Sequence, residues 1–309
     1  MLNTLLQTQK VLILDGALAT ELEARGCNIN DSLWSAKILA EQPELIRQVH
    51  YDYFAAGADI GISASYQATI PGFIQRGFSK EQAEQLIGNS VALLRQAAED
   101  YWQEIGCKTG RIHPVAAASV GPYGAYLADG SEYRGDYTIS KEELYIFHKE
   151  RMELLKQAGA DMFACETIPA LWEAEVILQI AEELQMPCWI SFSCKDEMHI
   201  SDGTPIAKCA KRLAAHPLVA AIGVNCTAPE YIEVLVRILR ENTKKPIVVY
   251  GNSGEVYDAT DKTWHDAPCG HSYSHWVPAW YEAGANIIGG CCRTGPSDIE
   301  EIFAWSKTI

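Results

Sequence analysis

Ala283-Gly284-Ala285-Asn286-Ile287-Ile288-Gly289-Gly290-Cys291-Cys292 reads as the end of a helix, a turn and a buried strand. Its first four residues restate a phrase that occurs twice earlier. Ala56-Gly57-Ala58-Asp59 leads into the apolar run from Ile60 to Ala64, and Ala158-Gly159-Ala160-Asp161 leads into Met162 to Cys165. In each phrase the glycine falls where a helix ends in a left-handed residue, a position that favours a residue without Cβ. Each apolar run is short and does not alternate with polar residues, as a parallel strand covered on both faces requires. A helix feeding such a strand three times over marks repeated β/α units.

Working outward from these three, five more runs have the same character. The eight predicted strands are Val11–Leu14, Ile60–Ser63, Val115–Ser119, Met162–Cys165, Cys188–Ser193, Ala220–Val224, Ile247–Tyr250 and Ile287–Gly290. Helix signals fall between them. Ser79-Lys80-Glu81-Gln82 and Ser140-Lys141-Glu142-Glu143 fit capping boxes. Pro43, Pro169, Pro205, Pro229 and Pro296 stand where first helical turns are expected. The pattern predicts an α/β protein, a single (β/α)8 TIM barrel over residues 1–309 with its active site at the C-terminal ends of the strands. A doubly wound open sheet is disfavoured, because Asp15-Gly16-Ala17-Leu18-Ala19-Thr20 lacks the glycine fingerprint of a phosphate-binding turn. Three long connections, after the first, third and seventh strands, all leave from the face where barrel enzymes keep their chemistry.

Composition narrows the class. The 309 residues are 48% hydrophobic, enough for a large core. No run is long and apolar enough to predict a membrane span. Met1 to Lys10 lacks the basic-then-apolar order of a signal peptide, so a cytoplasmic location is expected. A net charge of −15 argues against nucleic acid and anionic membranes as partners. A monomer is expected rather than an obligate oligomer. In a reducing compartment, ten cysteines point to metal binding, catalysis or small buried residues.

The predicted topology brings three of those cysteines together. Cys226 ends the sixth strand, while Cys291 and Cys292 end the eighth. Three thiolates can hold one tetrahedral ion and leave a fourth position open, as in a catalytic zinc site. The bland alternative is three small core residues, and spacing alone leaves both readings standing. Cys165 and Cys194 also end strands and are expected to be buried packing residues. A Zn2+ ion held by three thiolates suits a thiol substrate that loses its proton on binding, and zinc does not change redox state. The chemistry so implied is transfer of an electrophilic carbon to sulfur. Asp15 and Glu166 lie at the same face. They form either a pair that holds an ammonium group or, separately, a solvated loop residue and a helix N-terminal carboxylate.

Beyond the residues themselves, the sequence resembles the homocysteine S-methyltransferase family over essentially its whole length. The most specific segments are Asp15-Gly16-Ala17, Gly121-Pro122-Tyr123-Gly124, Gly223-Val224-Asn225-Cys226 and Gly289-Gly290-Cys291-Cys292-Arg293-Thr294. Asp31-Ser32-Leu33-Trp34-Ser35-Ala36-Lys37 and Gly121 through Tyr137 are most similar to the branch that uses S-methylmethionine. The resemblance implies zinc-dependent methylation of homocysteine to methionine, with Cys226, Cys291 and Cys292 as metal ligands. It implies substrate binding by Asp15, Glu166, Trp34, Ser35 and Tyr66, with Tyr66 also able to occupy the open metal position. The connection after the third strand, with Tyr123, Tyr126, Tyr133 and Tyr137 beside Asp129, Glu132 and Asp136, is the expected donor wall, because aromatic faces and carboxylates both attract a sulfonium. S-methylmethionine ranks first and S-adenosylmethionine second among donors, as no adenine-binding fingerprint is present. Betaine as donor, selenocysteine as acceptor, a zinc hydrolase on the same barrel and a zinc-stabilised scaffold are the other readings. Asn252-Ser253-Gly254 is expected to be a turn. His265, His271 and His275 are expected in loop or helix without a metal role.

Overall fold

A computed structural model describes residues 1–29, 36–253, 256–258, 263–265 and 272–309. Ten strands are described: β1 (Leu12–Ile13), β2 (Ile60–Ile62), β3 (Val115–Val120), β4 (Met162–Ile168), β5 (Cys188–Phe192), β6 (Val219–Asn225), β7 (Ile247–Gly251), β8 (Val256–Asp258), β9 (Thr263–His265) and β10 (Ile287–Gly290). Eight of them form one parallel sheet, in the order β1-β10-β7-β6-β5-β4-β3-β2. A parallel bridge between Leu14 and Ile60 joins its two ends and closes the barrel. All eight predicted strands are present. The antiparallel pair β8–β9 is an insertion after β7, so His265 lies in a strand rather than in loop or helix.

The repeated phrase has a structural reason beyond ending helices. Gly57, Gly159 and Gly284 all have positive φ. The acidic or amide residue two places later reaches across to the preceding barrel strand. Asp59 Oδ2 accepts from the Ile13 amide at 3.0 Å, Asp161 Oδ2 from Ala116 at 2.8 Å, and Asn286 Oδ1 from Ile247 at 3.2 Å. Each bond satisfies a backbone donor at the floor of the barrel that the ladder leaves over. Asp59 also pairs with the buried guanidinium of Arg111 at 3.1 Å.

Side chains alternate between the barrel interior and the helical layer. The interior stack includes Leu12, Met162, Trp189, Tyr250 and Ile287. Leu2 packs into the same stack from a helix over Leu2–Thr8, which covers the floor. That helix falls in the segment whose polarity gave no strand or helix signal. Both capping boxes form, with Ser79 paired to Gln82 and Ser140 to Glu143. Pro43, Pro229 and Pro296 open helices as expected. Pro169 and Pro205 do not, because the helices after them begin at Leu171 and Ile206. β4 runs three residues beyond its predicted end, through an irregularity in its pairing with β5 between Cys165 and Ile168. Among the described residues, no helix is long and apolar enough to cross a membrane.

The staples should be unequal in energy. Asp59→Ala leaves the buried Arg111 charge unpaired and should lower unfolding free energy by about 3–5 kcal/mol. Asp161→Ala, at a half-exposed position, should cost about 1 kcal/mol. Denaturant titration of the two variants checks the order.

Candidate active site

The sulfurs of Cys226, Cys291 and Cys292 lie within 4.8 Å of one another at the C-terminal mouth of the barrel. Backbone bonds hold their segments in register. The Cys226 amide donates to Tyr250 O at 3.1 Å, the Cys291 amide to Gly251 O at 2.9 Å, and the Ser253 amide to Cys292 O at 3.1 Å. Gly290 permits the turn after β10, since a Cβ there would stand 2.1 Å from Thr294 Oγ1. That hydroxyl donates to Cys291 O at 2.6 Å and fixes the turn.

Cys226 has φ 46° and Thr167 φ 58°, left-handed backbone that costs a residue with a Cβ roughly 1–2 kcal/mol. One buried amide supports both. Asn225 Oδ1 accepts from the Thr167 amide at 2.7 Å and from Ser191 Oγ at 2.8 Å, while its Nδ2 donates to Thr167 Oγ1 at 2.7 Å. Ser191 in turn meets the Tyr250 hydroxyl at 2.7 Å, and Trp189 Nε1 donates to the same hydroxyl at 3.0 Å. The neighbouring thiols of Cys291 and Cys292 hold the Cys226 thiol well below its ordinary range, with Thr167 and Tyr133 adding further hydrogen bonds. Cys226 pushes the Cys291 and Cys292 thiols up in return.

This donor set fits a soft tetrahedral cation. Zinc–sulfur bonds of about 2.3 Å need sulfurs about 3.8 Å apart, within the observed spread. Three protein ligands leave one position for a substrate atom.

A cavity of about 140 Å³ opens beside the sulfurs. Asp15, Glu132 and Glu166 line it, together with Tyr66, Gln67, Tyr133, Thr167 and Tyr250, and no Lys, Arg or His among the described residues does. Glu166 points inward from β4 itself rather than following it, because that strand is longer than predicted. Ser119 Oγ donates a very short bond to Glu166 Oε1. Burial pushes the Glu166 carboxyl up to about 7 against that bond, the Cys226 charge adding to the rise and Tyr250 opposing it. Asp15 Oδ2 accepts from the Ile62 amide at 2.7 Å. Burial holds Asp15 well above the usual carboxylate range, and the nearby Glu166 pushes the same way. Burial likewise raises Glu132 to about 7.

The connection from Gly121 to Ser140 brings Glu132 and Tyr133 to the cavity. Gly121 lets it cross Tyr66, whose carbonyl oxygen would lie 2.5 Å from an added Cβ. The connection is anchored on its far side by buried Glu173. That carboxylate accepts from the Tyr123 amide at 2.7 Å, from His148 Nε2 at 2.9 Å, and from Tyr137 through a very short bond. Arg151, also buried, donates to Gly121 O and approaches His148 Nδ1 at 2.7 Å. On the cavity side, Ser193 Oγ donates to Glu132 O at 3.0 Å.

Asp15, Glu166, Tyr66 and the three cysteines therefore converge. Tyr123 does not line the cavity. Its ring packs against Phe147 at 5.0 Å and against Tyr126 and Tyr137 at 5.6 Å each, in a cluster on the helical side. Of the expected donor wall only Glu132 and Tyr133 line the cavity. Trp34 and Ser35, and also Gly254 and His271, lie outside the described residues. Cys165 is buried and Cys194 half-buried, and neither lines the cavity. Sequence reasoning missed Gln67, Thr167 and Tyr250. The one available signal was polarity at positions where a strand pattern calls for apolar residues, as at Asn225.

Fold and site together define a parallel-barrel enzyme with a thiol-lined centre suited to a soft metal. The family model for homocysteine S-methyltransferases matches residues 12–305. A homocysteine S-methyltransferase of Bacillus subtilis is 55% identical, over 99% of this chain and 97% of that protein. The homocysteine S-methyltransferase of Escherichia coli is 51% identical over 99% and 98%. The metallated crystal form of the E. coli homocysteine methyltransferase superposes with a TM-score of 0.89 at 48% identity, covering 98% of this chain and 99% of that one. The chain belongs to the homocysteine S-methyltransferase family and is a methyltransferase.

Glu166 makes stability depend on pH. Its folded-state pKa, about 7, exceeds the ordinary 4.5, so the folded protein holds the extra proton between those values. The stability so conferred is full below pH 4.5 and is lost as pH rises to about 7. Against Glu166→Gln, the metal-free protein should lose ~1.4 kcal/mol per pH unit at most across that window and nothing further above it. Denaturant titrations at a series of pH values check this.

Proposed function

We propose that the protein transfers a methyl group from S-methylmethionine to the sulfur of L-homocysteine, with Zn2+ held by Cys226, Cys291 and Cys292. The observation that carries this reading is the convergence of three thiols on one point beside a cavity lined by carboxylates and by no described basic side chain. When bound, the metal lowers the pKa of a thiol in its open position, which makes a sulfur nucleophile available at neutral pH.

The chain's own residues bind and orient. Asp15 and Glu166 receive the acceptor's ammonium group, which favours their ionised forms against the burial that raises both pKa values. The Ile62 amide and the Ser119 hydroxyl fix the two carboxylates for that contact. Trp34 and Ser35 belong to the acceptor pocket by the family resemblance. Tyr66 lines the cavity with the three thiols, and Thr167 bonds its phenol. The acceptor's thiolate attacks the methyl carbon of the sulfonium. The carbon–sulfur bond of the donor breaks, its electron pair stays on the leaving thioether, and both products are methionine. Positioning of the two sulfurs in line is the protein's main task. S-adenosylmethionine is the slower alternative donor.

Replacing Cys226 or Cys292 with Ser should remove both zinc and activity, whereas Cys165→Ala should retain them. A zinc-replete, active Cys292→Ser protein would refute the metal assignment. Donor competition tests the other half: equal turnover with betaine, or none with S-methylmethionine, would overturn the donor choice.

Asp15→Asn and Glu166→Gln should each raise the KM for homocysteine by about tenfold, the loss of a charge-assisted hydrogen bond, with metal content unchanged. Normal homocysteine kinetics in both variants would misplace the ammonium pocket.

A further inference from the structure

The cavity holds three carboxyl groups, and the acceptor's ammonium accounts for two of them. Glu132 is left over. It sits on the short turn Ser131–Tyr133, an element apart from the strands that carry Asp15 and Glu166. Its Oε2 is fully buried and has no hydrogen-bond partner. No described basic side chain lines the cavity to neutralise it. Glu132 lines the cavity together with Tyr66 and with Tyr133, its neighbour in the chain. A buried carboxylate without a donor costs free energy unless it takes up a proton or a cation arrives with the ligand. The turn is also built to hold this side chain in place. Glu132 O is bonded to Ser193, and its backbone packs so close to Gly124 that a Cβ there would lie 2.5 Å from Glu132 N.

We infer that Glu132 is the specificity-determining residue for the methyl donor, its carboxylate facing the sulfonium centre with the Tyr66 and Tyr133 rings beside it. This inference rests on the sulfonium reading above. A sulfonium has no N–H to donate, which suits an oxygen placed without hydrogen-bond geometry, and aromatic rings complete the site through cation–π attraction. Asp15 and Glu166 would then discriminate the acceptor and Glu132 the donor.

The test compares S-methylmethionine with its neutral carbon isostere, in which CH replaces the sulfonium sulfur, as ligands of the metal-loaded protein. Shape, ammonium and carboxylate are the same in the two, so only the onium charge differs. The wild type should bind the sulfonium at least about tenfold more tightly than the isostere. Glu132→Gln should bring the two affinities together, and Glu132→Asp should keep part of the preference. Metal content and homocysteine affinity should stay at wild-type levels. A merely structural role would weaken both ligands alike and would not move their ratio. An unchanged ratio in Glu132→Gln, or an equal loss of homocysteine affinity, overturns the assignment. If S-methylmethionine still serves as donor while the ratio is unmoved, only the role of Glu132 falls. If the wild type neither prefers nor turns over the sulfonium, the donor reading falls with it.

Discussion

A parallel sheet that closes on itself delivers the C-terminal end of every strand to one ring. That constraint makes a site from residues far apart in the chain. Cys226 leaves β6, Cys291 and Cys292 leave β10, Glu166 points in from β4, and Asp15 follows β1. None of these contacts is local: the cysteine segments meet across β7, which lies between β6 and β10, while the closure between Leu14 and Ile60 brings the two ends of the sheet together. Closure in turn depends on satisfied backbone donors at the floor, where Asp59, Asp161 and Asn286 complete what the ladder leaves open. One phrase of sequence thus serves two ends of the barrel. It stops a helix and caps a neighbouring strand at the floor, and so sets the register that the mouth inherits.

The mouth gathers acidic groups that burial does not let ionise together. Three thiols and three carboxyls face one small cavity, and burial raises all three carboxyl pKa values. The frame beneath them is built from neutral hydrogen-bonding groups, and no described side-chain cation lines the cavity. Asn225 holds Thr167 and, through its own strand, Cys226, in left-handed backbone, and Ser191, Tyr250 and Trp189 complete the chain of bonds beneath. A fully satisfied buried network of this kind is rigid. Rigidity keeps the sulfurs together before any cation binds, which reduces the cost of assembling the site.

The fold was legible because its signals are local. The glycine phrases, capping boxes and eight apolar runs each need only a few residues to state themselves, and all eight strands formed where they were read. The cysteine triad was legible because strand ends meet by topology, whatever their separation in sequence. What the sequence concealed depends on three-dimensional packing. Pro169 reads like a helix start, yet β4 overruns its apolar core through the Thr167 irregularity and pushes the helix to Leu171. Tyr123 lies in a segment rich in tyrosine and acid, and composition cannot say which rings turn inward. The Glu173 cluster draws Tyr123 and Tyr137 to the helical side, which leaves Tyr133 to face the thiols.

That division of the connection after β3 has a consequence for how specificity can vary. On the proposed function, the acceptor side of the site is built from strands and the residues that directly follow them, where a change propagates into the barrel. The proposed donor side hangs on one connection, fastened from behind by Glu173 with His148 and Arg151, and from the front by Ser193. Burial of Glu173 beside Arg151 makes the rear anchor costly to alter, since either partner alone would leave an uncompensated charge. The turn at Ser131–Tyr133 is held through its backbone, at Glu132 O and against Gly124, so the Glu132 side chain can change while those contacts remain. On that proposal, a barrel arranged this way can retain the thiol centre and the acceptor pocket while exchanging one kind of methyl donor for another.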